Sequence, residues 1–203
     1  MAARKTTSRN LREACIEEAL GIIETSGVEQ LSLRQVARRL NVSHQAPYKH
    51  FASRDHILAE IVARAYASFA AYLESRPRTG EPHEDLAAMG RAYFSYAASH
   101  PLQYRLMFGT PLPDPRRHPE MMRQARHAFS LLRDGIARLP ERGGQDGPNR
   151  QVDLDALFIW STIHGLASIL QSDALGTLGL SETALQQAPG HALERLSRAM
   201  GPA

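Results

Sequence analysis

The sequence predicts an all-α protein, with an N-terminal helix-turn-helix domain of three helices and a C-terminal helical bundle. Three observations predict it. Apolar residues recur at intervals of three and four along most of the chain. Helix-start pairs such as Ser32-x-x-Gln35 and stops such as Gly27 punctuate these stretches. No segment alternates apolar and polar residues with the period of two that a half-buried strand requires. The 203 residues, 43% of them apolar, suit one medium domain or a small domain joined to a larger one, with ample material for a core.

The first helix is expected to start at a cap on Asn10, with Glu13 completing a capping box, and to bury Leu11, Cys15, Ala19, Ile22 and Ile23. Gly27 ends it by accepting a left-handed backbone. The second helix opens at Ser32 and carries Leu33, Val36, Ala37 and Leu40; Ala37 is small where two helix axes must approach. Asn41 takes positive φ in the turn, and Val42 plugs the angle between the helices. A third helix is expected from about His44 to His50, capped by Ser43. Pro47 lies in its first turn, where the missing amide is tolerated, so the start can fall later. Phe51 closes the small bundle. The content of that third helix, His44, Gln45, Tyr48, Lys49 and His50, is polar, basic and aromatic, which a helix used only for packing does not need.

A long helix follows from Ser53 to about Ser75, then a turn-rich linker over Pro77–Pro82. Helices are expected at 84–99, at 101–108 behind Pro101, and from Pro119 to Leu139; the prolines at 111, 113 and 115 keep the intervening stretch a loop. Glu141 to Asn149 reads as a mobile loop. The helix from Gln151 to Gln171 is apolar nearly all round and needs covering on two sides. A last helix is expected to break near Pro189-Gly190. Gly165, in mid-helix, costs about 1 kcal/mol relative to alanine, which suggests close approach of another helix.

Composition excludes several classes of function. A single cysteine, Cys15, rules out an internal disulfide framework and fits a reducing cytoplasm. The first ten residues lack the apolar core of a secretory signal, and the apolar run Ala156–Leu170 is interrupted by Ser161, His164 and Ser168 and is short for a bilayer span. No nucleophile elbow, zinc-protease motif or phosphate-binding glycine loop is present, and the nine histidines offer no convincing ligand pair. The chain is therefore read as no enzyme, with no cofactor and no metal. The net charge of +3 is unevenly placed. Residues 1–55 hold nine Lys+Arg against six Asp+Glu, and the remaining 148 hold fifteen of each. That suits a polyanion-binding head on a neutral body.

Leu31-Ser-Leu-Arg-Gln-Val-Ala-Arg-Arg-Leu-Asn-Val-Ser43, with Pro47-Tyr-Lys-His-Phe51 and Ser53-Arg-Asp-His-Ile-Leu58, closely resembles the DNA-binding domain of TetR-type transcriptional regulators. Asn41 stands where that family usually has glycine. Pro101-Leu-Gln-Tyr-Arg-Leu-Met-Phe-Gly109 and Trp160…His164-Gly165 look like the Trp-His-Gly type of ligand-binding domain. The resemblance implies an all-helical homodimer in the cytoplasm, with a DNA-binding domain over 1–55 and a ligand-binding and dimerisation domain over 56–203. It implies a repressor released from a pseudo-palindromic DNA operator by a small, largely apolar effector. The competing reading is a protein–protein adaptor that keeps the three-helix head without using it on DNA.

On the matching positions, the resemblance implies that Tyr48 and Lys49 contact phosphates and that His44 and Gln45 read base edges. Ser43 caps the recognition helix or touches phosphate. Ser32 and Arg34 lie at the end of the second helix that can meet a phosphate, and His50 contacts the backbone or packs. Arg4, Lys5 and Arg9 form a disordered basic arm, about residues 1–8, that follows the duplex or stays a solvated tail. In the body the candidate effector residues are Phe69, Met89, Tyr93, Tyr104, Met107, Phe108, Met122, Trp160, Ser161 and His164, aromatic and methionine walls with a few polar groups. Each of these is also an ordinary core residue by type and spacing.

Overall fold

The computed structural model describes residues 8–109, 111–142 and 150–200. Eight α-helices and no strand occur among the described residues. The chain divides into two compact units: Met1–Tyr66 with Arg105–Gln124, and Ala67–Tyr104 with Ala125–Ala203.

In the first unit, α1 (Ser8–Ser26) buries Cys15, Ile16, Ala19, Ile22 and Ile23, as the spacing requires, and leaves Leu11 half-buried. It begins at Ser8, so Asn10 lies inside the helix rather than capping it, and Arg9 belongs to the helix rather than to an arm. Gly27 ends it at φ 87, its amide donating to the Ile23 carbonyl at 3.0 Å. A 3-10 turn, Val28–Gln30, buries Val28 and leads to α2 (Leu33–Arg39). Ser32 caps α2, its Oγ accepting from the Gln35 amide at 3.2 Å. Leu33, Val36 and Ala37 are buried, whereas Leu40 is only half-buried.

The turn after α2 is a Schellman closure. Val42 N–H donates to Ala37 O at 3.0 Å, Asn41 N–H donates to Arg38 O at 3.2 Å, and Asn41 takes φ 52. The expected third helix is not α-helical. Residues 44–46 form a turn and Pro47–Lys49 a 3-10 helix. The cause is Pro47, which has no amide to give Ser43, so the Ser43 carbonyl takes Ala46 N–H at 2.9 Å. Lys49 and His50 then donate three residues back, to Ala46 and Pro47. Ala46, not Ser43, stands at the cap of this short helix, and no side chain caps it. Phe51 is 3% exposed and closes the bundle.

Ser53 caps α3 (Arg54–Glu74) through the His56 amide at 3.4 Å. Arg64 on α3 grips Glu13 of α1 at 2.6 and 2.9 Å and reaches Glu60 at 3.0 Å; Arg12 joins Glu60 at 3.1 Å. Segment 105–124, expected in the body, is grouped by its contacts with this unit. There Tyr66 donates to the Met107 carbonyl at 3.0 Å, and the His56 and His118 rings meet edge to face at 5.0 Å.

The second unit joins the end of α3, α4 (Pro82–Ser99), the first residues of α5 (Pro101–Phe108), most of α6 (Pro119–Ala137), α7 (Arg150–Leu170) and α8 (Glu182–Met200). α4 packs on α7 and α8, which pack on each other. Gly90 allows this: a Cβ built there collides with Leu193. α7 buries Val152, Asp155, Ala156, Ile159, Ile163 and Ala167. Its other face leaves Leu154, Leu157, Phe158 and Ile169 about half exposed.

By length and composition α7 is long and apolar enough to cross a membrane, more so than the shorter run read from sequence. Its buried stripe is that of a bundle helix. α8 runs unbroken through Pro189, contrary to the expected interruption. The ring removes one amide donor on a partly exposed face, where water can take the freed carbonyl. A 3-10 turn, Pro140–Arg142, takes up the start of the expected 141–149 loop, and the loop from 143 onward lies outside the described residues. Among the described residues, and apart from its own helix backbone and chain neighbours, nothing lies within 4 Å of a Cβ built at Gly165.

Candidate nucleic-acid interface

The helix-turn-helix brings four of the eight sequence-chosen residues around one concave surface: Arg34 from α2, and His44, Gln45 and Tyr48 from the turn and 3-10 helix beyond it. This follows from local structure. The Schellman turn reverses the chain after α2, and Pro47 tightens the next segment, so successive polar side chains fan outward. Arg34, Ser43, His44, Gln45, Tyr48 and Lys49 are all exposed. Tyr48 stays 44% exposed although it sits between buried Pro47 and Phe51, a placement packing does not require. Ser32 is exposed at the start of α2 and spends its hydroxyl on the cap. His50 is half-buried, its ring 6.5 Å from that of Phe51, so it packs on the core side. Arg4 and Lys5 lie outside the described residues.

Such a surface offers a cation at Lys49, a guanidinium at Arg34, a phenol and two side chains with paired hydrogen-bonding atoms. That set is suited to phosphates at the edge and base edges at the centre.

The ten candidate effector residues do not form one lining. Met107, Phe108 and Met122 belong to the first unit, where Met107 is 1% exposed and Phe108 packs edge-on against Tyr66 at 5.9 Å. In the second unit, Phe69, Tyr93, Tyr104, Trp160 and His164 do converge. The hydroxyls of Tyr93 and Tyr104 lie 3.0 and 2.7 Å from Nδ1 of His164 and 3.3 Å from each other. Trp160 is tilted against His164 at 5.8 Å, and Phe69 meets Tyr93 edge-on at 5.3 Å. Burial pushes the His164 imidazole below its usual range and the Tyr104 phenol above its own. A neutral ring whose Nδ1 accepts from a phenol carries its proton on Nε2, and the two hydroxyls, 3.3 Å apart, share that one lone pair. Met89 lies apart, in a groove with Leu73, Leu86 and Leu131. Ser161 is exposed and donates to Phe158 of its own helix at 3.0 Å.

Sequence reasoning missed Arg54, whose guanidinium reaches Val28 and Leu31 main-chain oxygens, and the His56–His118 contact. Arg54 lies in the Ser53–Leu58 stretch that carries the resemblance, but its two carbonyl partners are more than twenty residues away and left no local signal.

Comparison with known proteins adds the following. Residues 16–61 match the model described as "Bacterial regulatory proteins, tetR family", and residues 86–191 match "Tetracyclin repressor-like, C-terminal domain". The HTH-type transcriptional regulator Rv1816 of Mycobacterium tuberculosis is 31% identical over 97 residues, 46% of this chain and 42% of the relative. The HTH-type transcriptional regulator TcmR of Streptomyces glaucescens is 26% identical over 142 residues, 70% of this chain and 59% of the relative. The chain thus matches less than two thirds of the length of either. Among solved structures, the protein SCO4313 superposes with a TM-score of 0.76 at 26% identity, covering 96% of this chain and 98% of that one. A tetR-family regulatory protein from Rhodococcus RHA1, at 17% identity and a TM-score of 0.69, covers 95% and 98% and shares the fold.

Proposed function

The chain belongs to the TetR family of bacterial regulatory proteins, and from that premise we propose that it is a DNA-binding transcriptional repressor. It acts as a homodimer in the cytoplasm and leaves a pseudo-palindromic operator when a small, largely apolar effector binds. Residues 1–55 serve as the DNA-binding part and 56–203 as the effector and dimerisation part.

The single observation that carries the reading is the exposed convergence of Arg34, His44, Gln45 and Tyr48 on the helix-turn-helix, with Lys49 beside them. Tyr48 and Lys49 hold phosphates, His44 and Gln45 read bases, and Ser32 and Arg34 bring the amino end of α2 to the backbone. The half-exposed Leu154, Leu157, Phe158 and Ile169 support α7 as the face that meets a second copy, and Gly165, open within one chain, lets that copy approach. Tyr93, Tyr104, Trp160 and His164 are the effector contacts favoured by their convergence.

The test is a binding titration with duplex DNA from upstream of the chain's own gene against an unrelated duplex, alongside sedimentation of the free protein. Salt-dependent preference for the upstream duplex and a dimer at micromolar concentration are expected. A monomer at that concentration removes α7 as an interface, and equal binding to both duplexes removes the operator reading.

A further inference from the structure

Every nitrogen of the Arg54 guanidinium is in use. Nη2 donates to the Val28 carbonyl at 2.7 Å, Nε to the Leu31 carbonyl at 3.1 Å, and Nη1 lies 3.5 Å from Asp55 Oδ1. The two carbonyls are 26 and 23 residues away in sequence, on the segment between Gly27 and the Ser32 cap. The Leu31 carbonyl lies just outside the α2 ladder, whose first acceptor is the Ser32 carbonyl, taking Val36 N–H at 3.0 Å. Arg54 supplies the donor that this part-buried oxygen needs.

The same segment is held inward by the Val28 and Leu31 side chains, 7% and 2% exposed. Side chains and main chain are therefore both fixed, and with them the point where α2 begins. α2 starts at Leu33, and its first turn presents Arg34 with the Ser32 cap beside it.

We infer that Arg54 is a positioning residue for DNA binding: it ties the amino end of α2 to the first turn of α3 and so aims Arg34 and the α2 amides, without touching DNA itself. Three of the five guanidinium N–H donors are committed to the two carbonyls and Asp55; a phosphate contact through the other two is the rival outcome that the salt slope separates. The inference rests on the proposal that the head binds DNA.

The test compares the full chain with Arg54→Lys, which keeps the charge but lacks the fork that spans two carbonyls, and Arg54→Gln, which loses the charge. Affinity for the upstream duplex is measured across salt concentrations, and amide exchange is measured on the free proteins. Both variants are expected to lose about tenfold in affinity with the wild-type salt slope. Exchange of residues 28–35 should rise while α1 and the rest of α3 keep their protection. Wild-type affinity in Arg54→Lys overturns the inference. So does a slope in Arg54→Gln reduced by about 0.9, the signature of a lost phosphate contact, and so does exchange raised evenly through the head. Wild-type protein with no salt-dependent affinity for DNA overturns instead the DNA-binding proposal on which the inference rests.

Discussion

Tyr104 places its hydroxyl 2.7 Å from Nδ1 of His164, sixty residues further along the chain, and Tyr93 brings a second hydroxyl to the same nitrogen at 3.0 Å. Two donors share one acceptor, so the three side chains are not equivalent. Tyr104→Phe leaves Tyr93 to satisfy the imidazole and should cost about 1 kcal/mol. His164→Leu removes the ring nitrogen that both hydroxyls approach and should cost more, about 1–2 kcal/mol, since the hydroxyls keep each other and the residue-164 carbonyl within reach. Urea unfolding of the two variants checks the order; a larger loss in Tyr104→Phe contradicts the arrangement.

Stability should fall on mild acidification. Burial lowers the proton affinity of both His118 and His164 from the usual 6.5, with His56 and Arg117 adding to the effect at His118 while Asp55 and Asp114 oppose it. The unfolded chain therefore binds more protons than the folded one below about pH 6.5. Stability is full above that pH and is lost as pH falls through it. A second decline should follow at lower pH, where Glu13 and Asp85, held below 4.5 and 3.8 by Arg64 and by Thr79, take up protons. Thermal melting between about pH 2 and pH 8 reads both. His118→Phe should flatten the upper decline in part, and an unchanged profile in that variant contradicts the assignment.

The turn of the helix-turn-helix depends on one backbone angle. Asn41 at φ 52 is the only described non-glycine residue with positive φ. Asn41→Gly should be neutral or stabilising, and Asn41→Val should cost about 1–2 kcal/mol, because a β-branched residue resists the left-handed region. Chemical denaturation of the pair decides it; equal stability of the two variants would falsify the Schellman reading.

Much of the fold was legible because its signals are local. Ser32, Gly27, Asn41 and Ser53 each act within a few residues, and each performs the expected cap or turn. The helical stripes of α1 and α3 were equally readable, since burial follows their period. The third helix, expected from about His44 with a start that Pro47 could delay, is helical only as the 3-10 turn Pro47–Lys49, since periodicity does not register the helix type of so short an element. Pro189 misled in the opposite direction: α8 is long enough to run past the gap. The DNA-contact candidates come from the positions that match the family motif together with their chemical type, and four of them do share a surface. The effector candidates were chosen by type alone, which cannot place Met107 and Met122 in one unit and Tyr93 and His164 in the other. Arg54 was missed for the same reason, since the two carbonyls it holds are distant in sequence.

The binding titration of Tyr48→Phe combined with Lys49→Ala, run against the wild type on the upstream duplex across a range of salt, bears most directly on DNA recognition by this head. Loss of one cationic phosphate contact should lower the slope of log affinity against log salt by about 0.9, with affinity reduced at every salt concentration and the melting temperature unchanged. The same affinity and slope in the double variant as in the wild type would contradict DNA binding through this surface.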